Sequence, residues 1–355
     1  GVPGEPGAEC PPYDDLDHHD IDTVVTIAGS PGCDPTTGGT GNPTGWENPI
    51  IKAKWEVTES DMEDDDMECY GTQVAPNVGG DVSVDYYAVI LQRSSSIHSA
   101  YAYVWHPDCT FKYKVPLTPM SETQGQNAWD KVKANNPTVI CYGLDPTGAT
   151  YTQEDIDIEL ADYLNCYVYH GCADINYCQP GGCYKVGVRA FDGLAWSDSL
   201  WNTFWYIPTA AIAVDFTTLN YGNAVTVGTN TWRDGNLVWG DNMPTIRNYG
   251  NVPVDLKVLQ DDMMFAKDSS GAWNVQYDAR LGPTSAGNSV VVYDPWCEYD
   301  QWPNAGWVED ATCIGTLPLC TEEKLDFSIH IKEAEPCATY NGHMKLFAQR
   351  HGEPP

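Results

Sequence analysis

Apolar and polar residues alternate in short runs along most of the chain, and turn-forming residues separate the runs. Alternation with a period of two is typical of β-strands that bury one face. In the first half it predicts strands at Ile50–Val57, Val82–Leu91, Ser99–Trp105, Thr110–Val115 and Tyr184–Ala190. In the second half it predicts strands at Val214–Leu219, Pro244–Arg247, Val254–Leu259, Trp273–Tyr277, Val290–Tyr293, Leu325–Ile331 and Gly342–Ala348. The chain is therefore predicted to be mainly β.

Residues 121–170 interrupt this pattern with the period of an α-helix. Ser121 precedes a polar helical stretch that reaches about Ala134. Thr152 and Asp155 form a capping box, and the apolar residues after them are three or four positions apart. The predicted apolar face of this second helix consists of Ile156, Leu160, Tyr163, Leu164, Tyr167 and Val168. We expect a small helical insertion in a β domain.

Shifts in composition divide the chain into three segments. Residues 1–46 form an extended arm rich in Gly, Pro, Asp and Thr, with one strand at about residues 21–28. Residues 47–209 are predicted to form a Cys-rich β-sandwich with the helical insertion. Residues 210–355 are predicted to form a C-terminal Ig-like β-sandwich, because turn signals recur about every ten residues.

The strand in the arm cannot satisfy its own backbone hydrogen bonds, so it must join a sheet. That sheet belongs either to the same chain or to a neighbouring copy that gains the strand by strand addition. In the second case Ile21, Val25 and Ile27 dock in the neighbour's groove, with Thr23 on the same strand face. Cys10 and Cys33, which flank the strand, are then candidates for a disulfide between molecules.

The charge excludes several partners. The chain has 355 residues, 50 of them acidic and 18 basic, for a formal net charge of −32. Nucleic acids and anionic membrane surfaces are not expected as partners, because both require clustered lysine and arginine. No apolar run approaches the length of a membrane span. Copies of the chain would repel one another, so salt or divalent cations must offset the charge during assembly.

The cysteines predict a disulfide framework. Thirteen are present, and no C-x-x-C motif indicates a zinc or redox site. Disulfides persist in oxidising compartments, so we expect an extracellular or cell-surface location. An odd number of cysteines precedes residue 210. One of them must therefore be free, pair with a cysteine of the other domain, or pair with a cysteine of another molecule. The cysteines expected in disulfides are Cys69, Cys109, Cys141, Cys166, Cys172, Cys178, Cys183, Cys297, Cys313, Cys320 and Cys337.

Two acidic runs are candidates for calcium sites, because hard cations bind several carboxylate oxygens. Neither run matches an EF-hand loop, and solvated acidic loops are the alternative. The candidate ligands are Asp14, Asp15, Asp17, Asp20 and Asp22 in the first run, and Asp61, Asp64, Asp65 and Asp66 in the second.

Several segments resemble a known group of proteins. The segment around Pro49–Glu56 and the segment Tyr184–Asp192 are similar to the first and last strands of PKD-like or cadherin-like modules. The run Leu200–Pro208 resembles the junction between domains in secreted surface proteins of methanogen-type archaea, and Pro244–Val254 and Trp273–Ala279 resemble their second domain. The resemblance covers about residues 46–350, and it implies Ig-like sandwiches at a cell surface.

No catalytic motif is present: the sequence has no G-x-S-x-G, no H-E-x-x-H and no Walker loop. A carboxylate pair for glycoside hydrolysis leaves no signature in sequence. We therefore expect a non-enzymatic structural protein that assembles with copies of itself into a filament, sheath or envelope layer. The alternatives are a calcium-dependent adhesin that binds a glycan or protein, and a secreted hydrolase.

Overall fold

The computed structural model describes residues 47–58, 72–162, 165–223, 225–260, 263, 275–282, 290–291, 312–332 and 339–352. The described residues are mainly β, with 49% of them in strands, 11% in helices and two α-helices among them, as the alternation predicts. The chain divides into two compact units, and the main boundary lies between Ile207 and Pro208.

The described part of the first unit contains nine strands. They are β1 (Ile50–Thr58), β2 (Gln73–Val74), β3 (Asp81–Leu91), β4 (Ser99–Trp105), β5 (Phe111–Pro119), β6 (Cys141–Tyr142), β7 (Cys166–Asn176), β8 (Gly182–Phe191) and β9 (Leu200–Tyr206). Their order is β2-β9-β8-β4-β5-β7-β3-β1-β6. Strand β5 pairs with β4 along most of its length and with β7 only at its end, at Thr118 and Pro119. The sheet folds back on itself at β5, and this brings β1 into contact with β8 and β9.

Strand β1 is buried on both faces, which is unusual for a strand with alternating polar residues. Ala53 and Trp55 point towards the helices, and the Trp55 ring stacks on Tyr87 with centroids 5.1 Å apart. Lys54 and Glu56, at the alternate positions, point into the space between β1 and the β8–β9 pair. The polar side of this strand therefore faces the protein interior and not water.

The two helices form the expected insertion. Helix α1 (Glu122–Asn135) begins at Ser121, whose hydroxyl accepts a hydrogen bond from the Gln124 backbone N–H. Helix α2 (Gln153–Asp162) begins with the predicted capping box, because Asp155 N–H donates to Thr152 Oγ1 and Thr152 N–H donates to Asp155 Oδ2. Both caps confirm the sequence analysis.

The end of the second helix was predicted wrongly. Tyr167 and Val168 belong to strand β7 and not to α2. Cys166 and Val168 are buried with a period of two, and the consecutive aromatic and β-branched residues favour a strand. Tyr163 and Leu164 lie outside the described residues.

The second unit is a pair of sheets around an apolar core. Its strands are β10 (Ile212–Val214), β11 (Asn230–Arg233), β12 (Thr245–Asn248), β13 (Val254–Gln260), β14 (Val275–Leu281), β15 (Val290–Val291), β16 (Thr312–Leu317), β17 (Glu322–Ile331) and β18 (Met344–Arg350). One sheet has the order β10-β12-β17-β14-β15, with β11 also paired to β17, and the other has the order β16-β13-β18. Leu256 and Val258 of β13 share a core cluster with Tyr277 and Phe327 of the larger sheet.

Two short segments from earlier in the chain also belong to the second unit, namely residues 76–80 and 176–180. Within this unit Cys178 forms a disulfide with Cys320, and the Tyr177 and Tyr249 rings meet edge to face at 5.6 Å. A single boundary near residue 209 therefore does not separate the two units completely. Two turns from the first half of the sequence belong to the second unit.

Candidate functional site

One side of strands β5, β4, β8 and β9 carries a group of aromatic and cationic side chains. Small residues such as Ala100 and Ala102 of β4 point into the core. The residues between them, Tyr101 and Tyr103, point to the opposite side, because successive side chains of a strand alternate. We call this side the aromatic–cationic face; its members are Tyr101, Tyr103, Trp105, Phe111, Lys114, Lys185, Arg189, Trp196 and Trp201.

Cations lie against the rings across this face. Lys114 Nζ is 4.6 Å from the Tyr101 ring centroid, and Lys185 Nζ is 5.1 Å from the Trp201 centroid. These distances are within the range of cation–π attraction. Phe111 at the edge of the face is 45% exposed, and Trp201 is half-buried. Tyr103 and Trp105 are buried, so the accessible rings of the face are Phe111 and the half-buried Tyr101, Trp196 and Trp201. The face thus combines partly accessible rings with positive charge, on a chain that is otherwise strongly acidic.

The position of the Trp201 ring depends on a glycine. Gly187 pairs with Trp201 between β8 and β9, and a Cβ atom at Gly187 would lie 2.7 Å from the indole ring. Real Cβ atoms do not approach a ring so closely. The ring can therefore lie flat across β8 only because residue 187 has no side chain.

A second cluster is buried inside the first unit and consists of three side chains that touch one another: Lys54, Glu56 and Asn202. We call it the buried triad. Lys54 Nζ donates to Glu56 Oε1 at 2.6 Å and to the Asn202 side-chain oxygen. Asn202 Nδ2 donates to the other Glu56 oxygen, Oε2, at 2.6 Å. The carboxylate of Glu56 therefore bridges the amine and the amide nitrogen.

Lys54 and Glu56 lie in mostly apolar surroundings, whereas Asn202 is half-buried. Lys54 is 0% exposed and Glu56 1% exposed. Tyr86 pairs with Glu56 across β1 and β3, and burial raises the pKa of the Tyr86 hydroxyl well above its ordinary value. Lys54 also donates to the Val186 carbonyl at 3.1 Å. A buried charge is tolerated only when it is paired and hydrogen-bonded, and the triad meets this condition.

Cys141 lies beside the triad. It pairs with Lys54 between β6 and β1, and its thiol donates to the Trp201 carbonyl at 3.2 Å. Burial raises the pKa of the Cys141 thiol, while the nearby Lys54 amine partly offsets that effect. This thiol was expected in a disulfide, but it is free and contacts the strand that carries Asn202.

The predicted disulfide cysteines have several different outcomes. Cys178 is bonded to Cys320, and Cys109 and Cys183 are also in disulfides. Cys141, Cys166, Cys172 and Cys313 are free thiols, which corrects the expectation for these four. Cys166 and Cys172 cannot bridge each other, because they are six positions apart in the extended strand β7, a distance of about 20 Å. Cys69, Cys297 and Cys337 lie outside the described residues.

The remaining predicted site residues also lie outside the described residues. These are Asp14, Asp15, Asp17, Asp20, Asp22, Asp61, Asp64, Asp65 and Asp66 for calcium, and Cys10, Ile21, Thr23, Val25, Ile27 and Cys33 for assembly. Within the residues that are described, no group of three or more His, Cys, Asp or Glu side chains could hold a metal ion. In the same residues no helix is long and apolar enough to cross a membrane.

The sequence analysis missed both clusters, for different reasons. Lys54 and Glu56 alternate with apolar residues, and that pattern is normally read as a solvated strand face. The run that holds Asn202 and Trp201 was assigned to a junction between domains, although it forms strand β9. Only the density of Trp, Tyr and Phe in this run indicated a strand.

Comparison with known proteins gives no family. No protein-family model and no curated protein matches the chain. Among solved structures, a chaperone–tip adhesin complex of CFA/I fimbriae is 9% identical, with a TM-score of 0.26 and 86% of each chain covered. The C-terminal domain of the Streptococcus agalactiae AgI/II polypeptide BspA is 10% identical, with a TM-score of 0.20, and 85% of this chain and 96% of that chain are covered. The corresponding domain of Streptococcus pyogenes AspA is 12% identical, with a TM-score of 0.20, and the coverage is 86% and 97%. Scores this low do not establish a shared fold.

Proposed function

We propose that this chain is a non-enzymatic, extracellular structural protein that assembles with copies of itself into a surface filament, sheath or layer. The observation that carries the proposal is the aromatic–cationic face. A chain with a net charge of −32 concentrates Lys114, Lys185 and Arg189 beside accessible rings on one side of one unit. Such a face would attract the acidic residues that the next copy carries in excess.

Two further features support the proposal. The Cys178–Cys320 disulfide favours an oxidising compartment outside the cytoplasm. A contact between two different surfaces of the same chain is heterologous, and it produces open polymers when the rotation does not close a ring. The N-terminal strand at residues 21–28 would add a second contact by pairing with a sheet edge of the neighbour.

Electron microscopy of the unreduced protein, with and without a calcium chelator, tests the proposal. We expect the wild type to form ordered polymers. A variant that lacks residues 1–30, and a variant in which Lys114 and Lys185 are both changed to Glu, should form none. The matched control is Lys332→Glu, which changes the charge of an exposed lysine in the second unit. Monodisperse wild-type protein under every condition would contradict self-assembly.

A second candidate is a binding module or adhesin, and the half-buried Trp201 favours it. The flat ring lies beside a lysine, an arrangement that suits the apolar face and hydroxyl groups of a sugar. This function predicts a monomer whose tryptophan fluorescence changes on titration with a glycan. Trp201→Ala should abolish the change, while Trp239→Ala in the second unit should retain it.

A further inference from the structure

Lys54, Glu56 and Asn202 hold an amine, a carboxyl group and a carboxamide in mutual contact inside the first unit. A plain ion pair would need only the first two groups. The third group is a carboxamide whose carbonyl side touches the amine and whose nitrogen touches the carboxylate. These are the two reactants and the acid–base group of an amide exchange reaction.

We propose that the Lys54 amine and the Asn202 side chain form an intramolecular amide bond, with Glu56 as the general acid–base. The product would be a covalent cross-link from β1, the first described strand of the unit, to its last strand, β9. This inference does not depend on assembly, because all the groups belong to one chain.

The reaction begins with a proton transfer from the Lys54 ammonium to Glu56, which leaves a neutral amine and a neutral acid. The neutral amine is the form with a lone pair that can attack a carbonyl carbon. Glu56 Oε1 is 2.6 Å from Lys54 Nζ, so the proton moves along an existing hydrogen bond.

The neutral amine then attacks Cγ of Asn202 and forms the new C–N bond. The proton released by the attacking nitrogen passes to the second nitrogen, Nδ2, through Glu56, whose Oε2 is 2.6 Å from Nδ2. The Cγ–Nδ2 bond breaks, and ammonia leaves. An amine and a primary amide thus give a secondary amide and ammonia, with no oxidant, reductant or added reactant.

The fold provides two conditions that the reaction does not have in water, namely fixed contact between the reacting groups and exclusion of competing water. Two groups fixed in contact react as if each faced an effective concentration of about 10⁵–10⁸ M of the other. The core residues around the triad exclude the water that would compete as a nucleophile. Asn202 is only half-buried, so ammonia has a short route to solvent.

The direct test is the mass of the full-length protein after denaturation, reduction and alkylation. We expect wild type to be lighter, by one ammonia per chain, than the mass calculated for its sequence with every cysteine alkylated. Proteolysis should release a branched peptide that joins the sequences around Lys54 and Asn202. The branched peptide is needed because a succinimide at Asn341-Gly342 would give the same loss of mass.

Three variants make the result specific to the triad. Glu56→Gln should retain the ammonia and yield no branched peptide, although it preserves the size of the side chain. Asn202→Asp should form the same cross-link but lose water instead of ammonia. Lys52→Arg is the matched control, since Lys52 is buried on the same strand but pairs with Glu159, and this variant should cross-link normally.

Folding of each variant is checked by circular dichroism before the mass is interpreted. The proposal would be overturned if folded wild type had the full calculated mass and released the sequences around Lys54 and Asn202 as two separate linear peptides. Retention of the branched peptide in folded Glu56→Gln would overturn the role of Glu56. Polymer formation is scored separately by microscopy, so loss of the cross-link and loss of assembly can be told apart.

Discussion

The amine of Lys54 on strand β1 is in direct contact with the side-chain amide of Asn202 on strand β9, although the two residues are 148 positions apart. Strand β1 contacts β8 and β9 because the long sheet turns over at β5. The contact therefore joins the first and the last described strands of the first unit across its core. A link at this place would hold the unit closed when the chain is pulled from its ends.

Because β1 is buried on both faces, we expect a large loss of stability when its tryptophan, Trp55, is replaced by a small residue. Trp55 is 1% exposed and packs between the Tyr87 and Trp129 rings. We expect Trp55→Ala to lower the free energy of unfolding by about 3–5 kcal/mol, because a Trp-sized cavity in a packed core cannot collapse fully. Chemical denaturation measures the change.

The matched control for this variant is Leu144→Ala, at a side chain that is 61% exposed. Removal of an exposed side chain should change the free energy of unfolding by less than about 0.5 kcal/mol. Equal effects of the two substitutions would mean that β1 is not buried against the helices.

The fit of Trp201 over Gly187 predicts a coupled pair of substitutions. Gly187→Ala should destabilise the first unit by about 1–3 kcal/mol, because the new methyl group collides with the indole ring. Trp201→Leu in the same chain should remove most of that cost. A double-mutant cycle measures the coupling, and additive effects would show that the ring does not lie over residue 187.

The free thiols differ in reactivity because they differ in burial. Cys172 and Cys313 are exposed, whereas Cys166 is buried and burial raises the pKa of its thiol to about 12. We expect alkylation of the native protein at neutral pH to modify Cys172 and Cys313 quickly and to spare Cys166 until the chain unfolds. Peptide mapping after timed labelling checks the order, and rapid modification of Cys166 would contradict its buried position.

The stability of the second unit should depend on an aspartate in its core. Burial acts to raise the pKa of Asp326, but hydrogen bonds from Lys324 and Arg280 outweigh it, and the pKa is lowered overall. A carboxyl group with a lowered pKa in the folded state stabilises the protein above the pKa of the unfolded chain, and this stability is lost as the pH falls through the folded value.

We therefore expect the free energy of unfolding of this unit to fall below about pH 4, and less steeply in Asp326→Asn. The variant should also be less stable at pH 7, because it leaves Lys324 and Arg280 without their shared anion. Denaturation curves across the acid range measure both effects. Identical slopes for the two proteins would show that Asp326 does not contribute.

The strand pattern and both helix caps could be predicted because they are local. The capping box at Thr152 and Asp155 is determined by residues three positions apart, and the alternation over residues 99–102 of β4 reflects one buried face. The end of α2 was misplaced because Tyr167 and Val168 satisfy the helical spacing as well as a strand's alternation, and only pairing in the sheet decides between them.

The buried triad could not be predicted, because its members come together through the turn of the sheet at β5. Lys54 and Glu56 are ordinary polar positions in the local pattern, and nothing near them in sequence indicates Asn202. The disulfide between Cys178 and Cys320 is non-local in the same way, since 142 positions separate its cysteines. Such contacts follow from topology, which alternation alone does not determine.

Stretching of single molecules from their two ends tests the central claim of a cross-linked structural protein most directly. With disulfides reduced, the amide bond would keep the 148-position span between Lys54 and Asn202 from extending. We predict that unfolded wild type is shorter than unfolded Glu56→Gln by roughly 500 Å, at about 3.6 Å per residue. Equal unfolded lengths for the two proteins would contradict the account.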